Sequence, residues 1–130
     1  MKTATLSVLS LFAFLSLFSC KKDDTAPNTF IIKFGETVAV DKNMSITFEK
    51  LEEDSRCPCN ADCITAGRAV VRLKGSVPGS SYDCPFEINS TKLYKGYETE
   101  LLEVLPLPCD IDLPIPAEDY KVKVVVRKVE

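Results

Sequence analysis

Cysteine is the residue type in this chain that offers the most chemistry. The sequence contains six cysteines and no histidine, and Cys57, Cys59 and Cys63 lie within one short stretch. Three thiolates at this spacing could bind a soft metal ion such as Cu(I) or Zn²⁺, or the same thiols could be oxidised to disulfides. The lack of histidine excludes Ser-His-Asp and Cys-His catalysis in this chain, as well as histidine-ligated zinc. Which cysteine chemistry applies therefore depends on the compartment.

The N-terminal residues indicate that compartment. Lys2 precedes an apolar run from Ala4 to Phe18, which is shorter than the roughly 20 apolar residues of a membrane-spanning helix and is typical of a secretory signal peptide. The run ends in Leu17-Phe18-Ser19-Cys20, which resembles the lipobox of bacterial lipoproteins. The resemblance implies cleavage after residue 19, a diacylglyceryl group on the Cys20 thiol and acylation of the new amino terminus.

The residues that follow Cys20 predict a tether and a location. Lys21-Lys22-Asp23-Asp24 resembles a surface-export signal of some Gram-negative lipoproteins, and the same run could also be a solvated spacer. We divide the chain into a signal peptide at residues 1–19, a lipidated cysteine and flexible tether at residues 20–29, and a folded domain at residues 30–130. The predicted location is the bacterial cell envelope, anchored by lipid to the outer membrane, on its periplasmic or its outer face.

An oxidising envelope favours disulfides among the cysteines that follow Cys20. Cys57 and Cys63 enclose a loop short enough to close readily, and a bridge between them would fix a long loop at a sheet edge. Any two of Cys59, Cys84 and Cys109 could form a second bridge. We favour Cys84–Cys109, which would leave Cys59 as a free thiol. The alternative to bridging is a thiolate metal site formed by the three clustered cysteines.

The same stretch carries a second resemblance. Asp54-Ser55-Arg56-Cys57-Pro58, followed by Cys63 and Ala66-Gly67, resembles a family of small secreted or lipid-anchored bacterial proteins of uncharacterised function. The resemblance covers roughly residues 44–73 and implies a β-rich fold but no activity. Thr65 stands where the family usually has tryptophan, and Cys59 is an addition within the loop. Independently of the family, we expect Asp54 and Arg56 to stabilise this loop, as an ion pair or through hydrogen bonds to its carbonyls.

Hydrophobic alternation predicts the elements that position this loop. Met44, Ile46 and Phe48 recur with the period of two that is typical of a half-buried strand, and Leu51 breaks the alternation, which predicts a β-bulge or the end of the strand. The final element alternates in the same way from residue 120 to residue 126. Residues 52–66 and 75–81 are predicted loops, and residues 98–105 suit either a strand or a helical turn. The prolines between residues 106 and 116 exclude a helix or a central strand there.

These elements predict an all-β domain. About seven or eight short strands with turn signals between them are typical of an antiparallel β-sandwich, immunoglobulin-like or related, which the disulfides would brace. The net charge of −3 provides no concentrated basic face for nucleic acid.

Composition and motifs together favour a non-enzymatic function. We predict a lipid-anchored envelope protein with a binding or structural role and no cofactor. Its predicted partners are the membrane, through Cys20, and a protein or extracellular ligand whose identity the sequence does not give. The alternative is an envelope metal-binding or thiol-active protein that uses Cys57, Cys59 and Cys63.

Overall fold

A computed structural model of the chain describes residues 28–129. The predicted signal peptide, the lipidated Cys20 and the tether up to residue 27 lie outside the described residues. The described chain forms eight strands and one short 3₁₀ helix at Ala117–Asp119. The strands are β1 (Asn28–Lys33), β2 (Thr37–Ala39), β3 (Ser45–Asp54), β4 (Ala69–Val77), β5 (Ser80–Glu87), β6 (Thr91–Tyr94), β7 (Tyr97–Leu105) and β8 (Lys121–Lys128).

The strands form two antiparallel sheets of four strands each. One sheet has the order β1-β8-β7-β6 and the other has the order β2-β3-β4-β5. Every pairing between neighbouring strands is antiparallel. The prediction of an antiparallel β-sandwich of about eight strands is therefore confirmed.

The core lies between the two sheets and follows from the alternation in the sequence. In β3, the side chains of Ile46 and Phe48 are fully buried, and in β8 Val122 and Val124 are fully buried as well. These residues belong to one buried cluster to which both sheets contribute. Because successive side chains of a strand point to opposite faces, each strand sends one set inwards and leaves the other on the surface.

Leu51 marks an irregularity in β3, as its position in the alternation predicted. The pairing of β3 with β4 shifts register between Phe48 and Lys50 and again between Leu51 and Glu53. Such bulges insert a residue into one strand and increase its local twist. They allow β3 to continue as far as Asp54, so the loop that was expected to begin at residue 52 begins at residue 55.

Three other predicted boundaries differ from the structure. β1 begins at Asn28, so two residues of the predicted tether belong to the sheet. The predicted loop at residues 75–81 is mostly strand, because β4 and β5 are joined by a tight turn at Pro78-Gly79 in which Gly79 has a φ of 74°. Residues 98–105 lie in strand β7 and not in a helical turn, because Leu101 and Val104 supply buried contacts to the core that override helix propensity.

Antiparallel topology gives the sandwich two distinct ends. At one end the long loops 55–68 and 106–120 join β3 to β4 and β7 to β8, and we call this the braced end. At the other end lie the first described residue, Asn28, and the turns at residues 40–44, 78–79 and 95–96, and we call this the Asn28 end. A hydrogen bond from the Tyr97 hydroxyl to an Asp41 carboxylate oxygen, 2.7 Å long, joins the two sheets at the Asn28 end. Within residues 28–129, no helix is long and apolar enough to cross a membrane.

Candidate functional site

Two disulfides hold the loops of the braced end. Cys57 is bonded to Cys63 within loop 55–68, with their Cα atoms 5.8 Å apart. Cys59 is bonded to Cys109, which lies in loop 106–120. The backbone N–H of Cys59 also donates a hydrogen bond to the carbonyl of Pro108, 3.0 Å away. The two longest loops of the described chain are thus joined to each other as well as to their own strands.

The expected Cys84–Cys109 bridge is therefore wrong. Cys84 lies within β5, opposite Leu73 of β4, where its side chain packs against the core. Its position along the strand keeps it away from the braced end, whereas Cys59 lies on the loop that faces Cys109. Cys84 is the unpaired cysteine among residues 28–129, and burial raises the pKa of its thiol, which leaves less of it as the reactive thiolate at neutral pH.

The disulfides also use the three sulfur atoms that would be the ligands of the alternative metal site. Cys57, Cys59 and Cys63 are all bonded to other cysteines, and a metal ion would need them as thiolates. In the described part of the chain, no group of three or more cysteine, aspartate or glutamate side chains is placed to hold a metal ion. The three cysteines act here as cross-links.

Arg56 is the centre of a buried polar cluster beneath these disulfides. Its Nε and Nη2 atoms each donate to a carboxylate oxygen of Asp54, both at 2.7 Å. Its guanidinium also donates to the carbonyls of Val104, at 2.5 Å, and Pro106, at 3.1 Å. The Arg56 and Asp54 side chains are 10% and 8% exposed, so the ion pair is shielded from water. The planar guanidinium thereby fastens loop 55–68 to the end of β7.

Tyr120 completes this cluster, and the sequence analysis did not assign it a role there. Its hydroxyl donates to the second Asp54 oxygen over 2.7 Å. Burial of the Asp54 carboxyl opposes ionisation, but hydrogen bonds from Arg56 and Tyr120 and the charge of Arg56 together lower its pKa below the ordinary value. Burial and the contact with Asp54 raise the pKa of Tyr120 to about 12. The sequence did contain a signal for this role: Tyr120 has the same alternation as the inward-facing valines of the last strand, and a buried phenol needs a polar partner.

The remaining residues of the Asp54–Gly67 motif shape the base of the loop. Ser55 and Arg68 exchange hydrogen bonds, from the Ser55 N–H to the Arg68 carbonyl at 2.8 Å and from the Arg68 N–H to the Ser55 hydroxyl at 3.1 Å. Gly67 has a φ of +66°, and a Cβ atom there would lie 1.7 Å from the Ser55 carbonyl oxygen. The Cys57 N–H donates to the Ala66 carbonyl over 3.1 Å. Each of these motif residues therefore has a structural task.

The outer surface of the braced end includes several apolar side chains. Large aliphatic side chains stand exposed on both loops, namely Ile64, Leu107, Ile111 and Leu113. Ile64 is fully accessible, and each of the other three is about two-thirds exposed. A depression of about 320 Å³ lies between the loops, and Ile111, Leu113 and Arg56 are among the residues that line it. Ile111 and Leu113 line the same depression, and neighbouring exposed aliphatic side chains are typical of a binding surface.

The charges of the two loops are mostly negative, and two exposed lysines, Lys33 and Lys121, lie beside them at the ends of β1 and β8. Loops 55–68 and 106–120 contain no lysine, and their two arginines, Arg56 and Arg68, are both paired with carboxylates. The loops carry five further acidic residues, which are Asp62, Asp110, Asp112, Glu118 and Asp119. The candidate site therefore combines exposed aliphatic and acidic side chains on two loops, held in place by two disulfides and a buried ion pair.

Comparison of the chain with protein families, with curated proteins and with solved structures finds no match. The lipobox and the Asp54–Gly67 resemblance stay predictions from the sequence.

Proposed function

We propose that this chain is a lipid-anchored protein of the bacterial outer membrane that binds a partner through its braced end and has no catalytic activity of its own. The observation that carries the proposal is the set of exposed aliphatic residues on two loops that are cross-linked to each other. Loops at one end of a sandwich can form a binding surface on a rigid scaffold, as they do in antibody variable domains. Ordering the loops before binding reduces the entropy lost in the complex.

The position of the chain's N-terminal side supports this arrangement. The described chain starts at Asn28, which pairs with Val126 near the end of β8 and lies at the opposite end from the braced loops. β3 runs between the two ends and is 10 residues long, a length of about 30 Å. If Cys20 carries lipid, the tether joins the domain at the end opposite the braced loops, so attachment to the membrane does not cover the proposed binding surface.

The surface chemistry defines the kind of partner. An exposed patch of isoleucine and leucine side chains gains from contact with an apolar surface. The surrounding carboxylates favour basic groups at the rim of the partner and disfavour acidic ones. We therefore expect a protein segment with aliphatic or aromatic side chains flanked by lysine or arginine.

The ionisable groups of the braced end suit a structural task. Asp54 is fully engaged by Arg56 and Tyr120, and its lowered pKa keeps it ionised at neutral pH. A general acid or base needs a pKa near the operating pH and an open path to the substrate. This arrangement favours a binding role.

Site-specific photo-crosslinking in intact cells tests the binding surface. A photoreactive residue replaces Ile111, which is 69% exposed on the braced end, or Ile31, which is 58% exposed on β1 and serves as the matched control. We expect discrete protein adducts from position 111 and none from position 31. Equal adducts at both positions, or none at position 111, would contradict binding through the braced end.

Metabolic labelling with a fatty acid tests the anchor separately. We expect the full chain and its Cys84→Ala variant to incorporate label, and the Cys20→Ala variant to incorporate none. Both substitutions remove one thiol outside the two disulfides, so they differ only in position. Undiminished labelling of the Cys20→Ala variant would refute the lipid anchor.

A further inference from the structure

The Asn28 end of the sandwich carries a group of exposed lysines. Lys42 and Lys128 line one depression of about 400 Å³, together with Asn28 and Tyr97. Lys128 and Lys95 line a neighbouring depression that also includes Tyr97. All three lysines are exposed. Two turns and the end of β8 therefore bring three positive charges to one end of the molecule.

None of these lysines forms an ion pair of 4 Å or less among residues 28–129, although Asp41 lines the depression of Lys42 and Lys128 and the charge of Lys128 helps to lower the pKa of that carboxyl. The ion pairs in that part of the chain involve Arg56, Arg68, Arg72, Arg127, Lys50 and Lys123. Asp41, the carboxylate beside Lys42, already accepts hydrogen bonds from the Tyr97 hydroxyl and from the backbone N–H groups of Asn43 and Met44. Three lysines thus share one end with a single nearby carboxylate, Asp41, so positive charge remains for an anion outside the molecule.

The chain also enters the domain at this end. Asn28 is eight positions after Cys20, so the intervening chain spans at most about 28 Å, whatever its conformation. A lipid anchor at Cys20 would keep the Asn28 end near the membrane surface. Anionic lipid attracts nearby lysines with a gain of about fivefold in binding per lysine.

The opposite end of the sandwich has the opposite charge. The braced end carries five loop carboxylates, among them Asp62, Asp112 and Glu118, which outnumber its two exposed lysines, Lys33 and Lys121, at the ends of β1 and β8. An anionic surface therefore attracts one end of the domain and repels the other. The two effects favour the same orientation.

We propose that the Asn28 end docks on an anionic membrane surface, with Lys42, Lys95 and Lys128 contacting lipid phosphates, so that the braced end stands outwards. This inference rests on the proposed lipid anchor. It goes beyond that anchor because acylation alone fixes the distance of the domain from the bilayer and leaves its orientation free.

Lysine accessibility in reconstituted vesicles tests the docking. The acylated chain is inserted into vesicles of phosphatidylcholine alone or of phosphatidylcholine with phosphatidylglycerol, and a water-soluble amine reagent modifies its lysines. We expect phosphatidylglycerol to slow modification of Lys42, Lys95 and Lys128 at least fivefold. The control set is Lys33 and Lys121, which are exposed at the braced end, and Lys74, which is exposed on the outer face of β4; these three should react at unchanged rates.

Matched variants identify the lysines that orient the domain on the membrane. Replacement of Lys42, Lys95 and Lys128 by glutamine should abolish any orientation that phosphatidylglycerol imposes, measured by energy transfer from a dye at Ile111 to a lipid dye. Replacement of Lys33, Lys74 and Lys121 by glutamine makes the same change in net charge and should leave the orientation intact. Equal effects of the two triple variants would overturn the docking.

Two further measurements separate the sources of failure. Mass spectrometry of the purified protein establishes acylation before reconstitution, so a chain without lipid refutes the proposed anchor. An acylated chain whose lysines react equally in both vesicle types refutes the docking alone. Protection of the three lysines by inorganic phosphate in solution, in the absence of vesicles, would instead indicate a site for free anions and would also overturn the docking.

Discussion

Removal of the Cys59–Cys109 disulfide should destabilise the domain more than removal of the Cys57–Cys63 disulfide. The first joins residues separated by 50 positions and the second residues separated by 6. In the chain-entropy model, a cross-link stabilises mainly by restricting the unfolded chain, and its effect grows with the logarithm of the loop length. These separations give about 4 kcal/mol for Cys59–Cys109 and about 2 kcal/mol for Cys57–Cys63.

Equilibrium unfolding in urea under non-reducing conditions measures the difference. The variants are the double substitutions Cys59→Ser with Cys109→Ser and Cys57→Ser with Cys63→Ser. With a slope of about 1.5 kcal/mol per molar urea, the midpoints should fall by roughly 2.7 M and 1.3 M. The slope should rise more in the first variant, because its unfolded chain loses the longer constraint and exposes more surface.

The single substitution Cys84→Ser is the control for loss of a thiol. It removes no cross-link, and we expect a change of about 1 kcal/mol or less. Equal losses from the two double variants would refute the loop-length reasoning. A non-reducing peptide map that links Cys84 to Cys109 would refute the pairing itself.

Three other substitutions test the polar cluster and the base of the loop. Arg56→Met should lower the free energy of unfolding by about 3–5 kcal/mol, because it leaves the Asp54 carboxylate buried without its cation; Arg68→Met, at the surface, should have a much smaller effect in the same urea assay. The pKa of Asp54 is lower in the folded than in the unfolded chain, so the stabilisation that it provides is present above about pH 4 and is lost as the pH falls further. Thermal unfolding between pH 7 and pH 2 should therefore show a shallower acid decline for Asp54→Asn than for the natural chain, and identical declines would contradict this role. Gly67→Ala should destabilise more than Gly79→Ala, because both glycines have a positive φ but only Gly67 faces a backbone oxygen; equal losses would mean that backbone strain alone matters at residue 67.

The strands were predictable from the sequence because their signal is local. In β8, the alternation of Val122, Val124 and Val126 identifies the inward face directly, and all three are buried. The break in the alternation at Leu51 predicted an irregularity in β3 for the same reason. Residues 98–105 suited either a strand or a helical turn because helix propensity is also a local property. Burial of Leu101 and Val104, which decides for the strand, depends on the facing sheet.

The pairing of Cys59 with Cys109 could not be predicted from local sequence patterns. Cys84 and Cys109 lie closer together in sequence than Cys59 and Cys109 do, and no pattern in the chain reports which residues meet in space. The pairing follows from the topology, which places loop 55–68 beside loop 106–120 and leaves β5 at a sheet edge. The contact of Tyr120 with Asp54 could not be predicted for the same reason, because the two residues are 66 positions apart in the sequence.

The cross-linked loops separate the parts of the chain that maintain the fold from the exposed side chains that we propose to contact a partner. Arg56 holds the main-chain carbonyls of Val104 and Pro106, so the clamp does not depend on the side chains at the loop tips. Residues such as Ile64 and Ile111 can then change during evolution without disturbing the scaffold beneath them. The braced end is thus a surface on which new specificities can arise by substitution, while the sandwich keeps its architecture.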